Sequence, residues 1–295
     1  SESYFVEQLS IYQIVVLKPD IEKLDNYRLI KISAVSIVSA ICAYYIVFFF
    51  SNYSALFFAY DFDITASFSL EGITFPPNVI NHSWSRDAMI TILLAKPYSA
   101  FIIGIFFLFI LMLRTKKIMT IILLLFWINL FAFSSAFGEL IIDIIYKTGT
   151  YEVVSAMNIN VVYLIMMAII VSFLYYKIGK MNGKLIKQSF SHQYLLSFHS
   201  RLIIFISILF TPWLLVIIFS RLLISDFFLV SEIVKSLPAI ILLIPFLAKE
   251  KPENLNFNFV LTKDFRTTDL ILVPILMILS VILILVMKNG IAILG

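Results

Sequence analysis

Glu139 and Asp143 stand four residues apart in a stretch that is otherwise almost entirely apolar. Side chains four apart share one face of a helix. Two carboxylates close together in a low dielectric favour a shared proton, because burial and like charge both disfavour ionisation. Such a pair inside a membrane span is a candidate path for a proton or small cation. The same stretch carries Asn129, Ser134 and Ser135. Glu232 and Lys235, three apart, can pair on one helix face. Pro238 and Pro245 follow them and free backbone carbonyls nearby. A broken helix beside a charge pair is the architecture of ion sites in transporters. The competing reading is structural. Asp143 lies near the outer end of its span, and Lys147 or Arg86 could neutralise the pair there.

Other chemistries lack their residues. A zinc protease needs two His one helical turn apart with a Glu between them. His82, His192 and His199 do not have that spacing. Intramembrane serine or aspartyl proteolysis needs a Ser with a partner His, or two Asp, within spans. Neither pattern is found. The one cysteine, Cys42, excludes an intramolecular disulfide and a thiolate cluster, and reads as a packing residue. No catalytic residue, metal or cofactor is therefore expected.

The elements that would hold these residues are membrane helices. Of 295 residues, 61% are hydrophobic and 14% charged, with mean hydropathy +1.02. A soluble domain is nearer a quarter charged. Lipid must solvate part of this chain. Residues 1–27 read as a cytoplasmic amphipathic leader ended near Pro19. Residues 28–295 read as a membrane domain of about seven spans: 30–50, a second ending at Leu113, 118–143, 156–176, 202–220, 228–248 and 269–287. The second starts either near Ala88, with a kink at Pro97, or near Tyr98. The expected fold class is an all-α polytopic transmembrane helical bundle.

Charge sets its orientation. Basic residues crowd the leader, the 114–117 turn, and the 177–201 and 249–267 loops, and are sparse in the alternate segments. The positive-inside bias then predicts a cytoplasmic N-terminus and an extracytoplasmic C-terminus. The localisation expected is a bacterial cytoplasmic (inner) membrane.

Two segments could meet partners. The extracytoplasmic loop 51–96 is rich in aromatics and offers Trp84, Arg86 and Asp87. Period-two stretches near 61–70 permit a short hairpin. The cytoplasmic loop 177–201 carries Lys177, Lys180, Lys184, Lys187 and Arg201 with no acid. On a helix its lysines form one stripe, suited to anionic phospholipids or an acidic protein. RNA or a ribosome is less favoured, because the stripe lacks the aromatic–basic alternation of single-strand binding.

Trp127, Asn129, Phe131, Gly138 and then Thr148-Gly149-Thr150 resemble multi-pass bacterial inner-membrane proteins, some of them similar to degenerate site-2-type proteases. The protease His-Glu-His pattern is absent here. The resemblance therefore implies a non-catalytic membrane subunit. The expected function is a non-enzymatic subunit of a larger envelope complex, in protein translocation, insertion or secretion, with other membrane subunits as partners. The alternative is a proton- or cation-coupled secondary transporter using Glu139 and Asp143.

Overall fold

The computed structural model describes residues 26–75, 84–113, 118–138, 160–188, 197–222, 239–249 and 267–293, with isolated positions at 151, 153, 154, 157, 190 and 195. It is mostly helical. Helix α1 runs Asn26–Asp61, α2 Arg86–Leu113 and α3 Met119–Phe133, the last continuing through a π-helical turn at Ser134–Gly138. Helix α4 is Val161–Lys187. Helix α5, Phe198–Ile204, passes through a π-helical segment at Phe205–Phe210 into α6, Thr211–Leu222. A short helical turn at 239–243 tightens into a 3-10 turn at Ile244–Leu247. Helix α7 is Thr267–Lys288. Five of these stretches are long and apolar enough to cross a membrane: Tyr27–Asp61, Arg86–Leu113, Met119–Gly138, Phe198–Ser220 and Thr268–Lys288.

Helix α1 is the hub. It packs on α2, α3, α6 and α7. The main core gathers around α3, whose residues from Leu123 to Phe133 are nearly all buried. A second cluster joins the far end of α1 to α2 and α7 through Leu56, Ala59, Ile64, Phe68, Ile92 and Met287.

The bundle is not purely α-helical. Strands β1 (Ala66–Ser69) and β2 (Gly72–Thr74) form an antiparallel hairpin, and β3 (Ile291–Ile293) pairs antiparallel with β1. The strand order is β2-β1-β3. Alternation along 66–69 carries the reason: Ala66 and Phe68 point into the second cluster while Ser67 is exposed. The hairpin expected from the sequence is therefore present. Its third strand comes from the other end of the chain.

The ends of α1 and α4 depart from the expected boundaries, and the start of α2 agrees with the first of its two alternatives. Helix α1 continues to Asp61 instead of ending at 50, because Leu56 and Ala59 have a core of their own to enter. Tyr44 and Tyr45 pack inside the bundle, and Tyr45 is buried. Helix α2 is one helix from Arg86, with Pro97 inside it. Ser85 caps it, accepting from the backbone N–H of Ala88 at 3.1 Å. The segment between α1 and α2 is thus 62–85, not 51–96. Helix α4 runs through Lys187, so the first part of the expected 177–201 loop is helical. The sixth expected span is described only from 239 onward.

What stops α1 is legible atom by atom. Ile64 N–H donates to Ala59 O at 2.8 Å and Asp63 N–H to Tyr60 O at 3.0 Å. Asp63 has φ 56°. This is the paired-bond helix ending with a left-handed residue just past the terminus, and Ile64 and Ala59 make its accompanying apolar contact. Aspartate tolerates that conformation better than most residues; a β-branched residue does not. Asp63→Val is expected to destabilise the protein by about 1–2 kcal/mol, and Asp63→Gly to leave it as stable or more so. Thermal unfolding in detergent checks both. A Val variant as stable as the parent would show that the helix end is held by something else.

Candidate functional site

Inside a bilayer a polar group has no water to bond, so buried polar side chains mark where helices are tied together. Helix α1 presents Ser33 and Ser36 toward the π-helical segment at 205–210. Ser33 Oγ donates to Ser207 O at 2.6 Å, and Ser36 Oγ donates to Ile208 O at 2.7 Å. A π-helical turn departs from the regular i to i+4 ladder, and carbonyls there need other donors. Trp127 Nε1, on α3, donates in turn to Ser36 Oγ at 2.9 Å. Three helices are thereby linked through one buried hydroxyl.

Helix α3 carries two further interior contacts. Asn129 Nδ2 donates to Gly104 O at 2.9 Å, while Asn129 Oδ1 is buried without a hydrogen-bond partner. Gly104 permits the approach: a Cβ there would lie 3.1 Å from the Phe133 ring. At the start of α3, Thr120 donates to Asp269 Oδ1 twice, from its N–H at 3.0 Å and its Oγ1 at 2.7 Å. Asp269 is 2% exposed and sits in the first turn of α7, where the helix dipole favours a carboxylate. It therefore caps the N-terminus of α3 from the first turn of α7.

A third polar cluster joins α4, α5 and the turn at 244–247. Lys187 Nζ donates to Pro245 O at 3.1 Å and Ala248 O at 2.7 Å. Arg201 donates from Nε to Leu247 O at 3.2 Å and from Nη1 to Leu195 O at 2.6 Å. The last carbonyls of a helical turn carry partial negative charge and lack partners, so cations belong there. Above this cluster α4 lies close to the 239–247 segment through Gly179 and Gly183. A Cβ on Gly179 would meet the Leu242 backbone at 3.0 Å, and one on Gly183 the Phe246 N at 3.1 Å. Small residues four apart are how membrane helices approach closely. Asn182 lies between them, fully buried, with neither amide atom hydrogen-bonded.

The residues singled out from the sequence divide accordingly. Glu139, Asp143, Glu232 and Lys235 lie outside the described residues, as do His82 and His192. The π-helical turn at Ser134–Gly138 leads directly to Glu139. Lys177, Lys180 and Lys184 are exposed on α4. Lys187 and Arg201, expected on a partner or lipid surface, are 1% and 6% exposed, because they cap carbonyls inside the protein. Arg86 and Asp87 are exposed in the first turn of α2 rather than in a loop. Trp84 is half-buried, with its ring edge-on to Phe75 at 4.8 Å. Cys42 is a free, buried thiol. Among the described residues, no group of three or more His, Cys, Asp or Glu could hold a metal ion. Sequence reasoning passed over Ser33, Ser36, Thr120 and Asp269. Their spacing carries no signal, since each finds its partner more than 90 residues away.

No protein-family model, curated protein or solved structure matches this chain. The class therefore rests on the fold itself: a helical integral membrane protein, whose described interior polar groups join helix to helix.

The Asp269–Thr120 contact gives a direct test. Asp269→Ala leaves two donors of Thr120 unpaired and is expected to cost about 1–3 kcal/mol of stability. Thr120→Val combined with it should cost less than the two single changes summed. Additive losses in thermal unfolding would show that the two residues are not coupled.

Proposed function

We propose that this chain is a non-enzymatic integral subunit of a larger complex in the bacterial cytoplasmic membrane, of the kind that moves or inserts proteins. The observation that carries the reading is the far end of α1. The helix has 36 residues, about 54 Å at 1.5 Å per residue. A hydrocarbon core of roughly 30 Å cannot cover it. Phe50, Tyr53, Phe57 and Tyr60 fall on one stripe of that end, and their exposures are 54%, 43%, 55% and 56%. The opposite side of the same turns holds Leu56 and Ala59 in the second cluster. An aromatic stripe standing beyond the membrane core is the composition of a protein interface, where Tyr and Phe are enriched.

The arrangement of contacts supports seven crossings. The Thr120–Asp269 pair brings the starts of α3 and α7 to one end of the bundle. The β1–β3 pairing brings the ends of α1 and α7 to the other. Lys187 and Arg201 meet the carbonyls at 245–248, so α4 ends, α5 begins and the 239–247 segment ends together. The Ser33 and Ser36 contacts with 207–208 place that meeting point toward the start of α1. Arg28, Lys31 and the α4–α5 cations gather at the end away from the sheet, against Arg86, Lys96 and Lys288 toward it. The positive-inside bias makes the sheet end extracytoplasmic.

Single cysteines placed at Glu71 and Asn289 are expected to react with an impermeant maleimide from outside the cell. One at Lys184 is expected to react only after lysis. Buried Cys42 keeps the background low. Labelling of 71 and 289 from opposite faces would sink this topology. For the complex, mild-detergent purification of the tagged chain is expected to retain stoichiometric membrane partners. The triple change Tyr53→Ser, Phe57→Ser, Tyr60→Ser is expected to shed them without unfolding the chain. A lone monomer from native membranes would remove the main support.

A second reading, proton- or cation-coupled transport, is favoured by the Ser134–Gly138 turn. Helical π turns recur at functional sites, and this one stands between the half-satisfied Asn129 and Glu139. Glu139→Gln is then expected to abolish a proton-coupled flux in proteoliposomes while leaving folding intact. An unchanged flux would end that reading.

A further inference from the structure

We propose that the outer flank of α4 is a binding site for an anionic phospholipid, with acyl chains along its first half and the headgroup phosphate on Lys177, Lys180 and Lys184. This rests on the proposed crossing of the membrane by α4, not on the complex proposed above. The flank has two chemically distinct halves in the order such a lipid requires. Tyr163, Met166, Ile170 and Phe173 are each more than half exposed along the upper part. The three lysines follow on the same side, all exposed. Their steps of three and four residues keep them on one stripe. Helix α4 has 27 residues, about 40 Å, so about 20 residues span the hydrocarbon. That count sets Lys180 and Lys184 at the headgroup level and Lys177 just inside it, where its stem can lie on apolar surface. Lys177 Nζ stands 5.1 Å from the centre of the Phe173 ring.

Among the described residues, this stripe has no acidic partner. The side chains of Lys180 and Lys184 make no hydrogen bond or ion pair among the described residues. The chain has no acid between Lys177 and Arg201. The other two cations of that stretch face inward on carbonyls, which leaves this trio as the outward group. The inner face of α4 is already occupied, since Gly179 and Gly183 close on the backbone of 242–246. What remains outward is an apolar column ending in three positive charges. Charge complementarity selects a lipid with a net negative headgroup over a zwitterionic one. A protein helix would need acids at the same level, and it is the alternative the test must separate.

The test is native mass spectrometry of the full-length protein released from nanodiscs containing equal parts phosphatidylglycerol and phosphatidylcholine. The wild type is expected to retain phosphatidylglycerol preferentially, by roughly fivefold for each lysine engaged. The triple change Lys177→Gln, Lys180→Gln, Lys184→Gln is expected to abolish the preference. Lys288→Gln, at the far end of the bundle, is expected to leave it intact, and Lys→Arg at the three positions to preserve it. Should the triple variant fail to fold, Lys180→Gln alone and the lipid competition on wild type still decide. Equal retention of both lipids by the wild type would overturn the proposal. So would a triple variant with unchanged preference. So would loss of a co-purifying protein, rather than of lipid, when the lysines are removed.

Discussion

The hydroxyl of Ser36 is the joint on which the bundle turns. It receives the indole N–H of Trp127 and donates to Ile208 O. A serine hydroxyl has one proton and two lone pairs, so it can stand between a donor and an acceptor on different helices. In an apolar interior, a donor and an acceptor without partners would each carry a desolvation penalty. The relay removes both at once. It also fixes the rotation of α1 and α3 about their axes, since only one face of each brings these atoms together. Helix α3 is consequently buried on nearly every side, and α1 is free to contact α2, α6 and α7 around it.

The same logic operates at the bundle's ends, where helix termini leave carbonyls and N–H groups unpaired. Asp269, in the first turn of α7, accepts from the beginning of α3. Lys187 and Arg201 serve the end of the 244–247 turn. At the opposite end the work falls to the backbone: the Asp63 ending turns α1 into β1, and β3 completes the sheet through Gly290, which has φ 73°. The ties of Ser33, Ser36, Asp269, Lys187 and Arg201 thus reach places where a helix begins, ends or departs from regular geometry, whereas Asn129–Gly104 and Ser54–Ser99 join regular turns. The apolar faces between them need only shape, supplied by Gly104, Gly179 and Gly183 where backbones come closest.

This division explains why α4 presents so different a surface on its two sides. Inward, glycine and the buried stem of Lys187 let it close on the 239–247 segment. Outward, large apolar side chains give way to lysine. Neighbouring lysines in one helix therefore have opposite roles. Lys184 projects outward and Lys187, three residues on, is sealed by carbonyls.

Hydropathy by itself determined the membrane class and five of the helical stretches, and period-two alternation permitted the hairpin whose first strand is 66–69. These depend on composition and short-range periodicity, which any local window contains. Tertiary structure alone decided which lysines are buried, where α1 and α4 end, that the last strand joins the first hairpin, and that Ser36 and Asp269 hold the bundle. Each depends on an atom far along the chain arriving within hydrogen-bond distance, and nothing in the residues beside Ser36 specifies that Trp127 will be there.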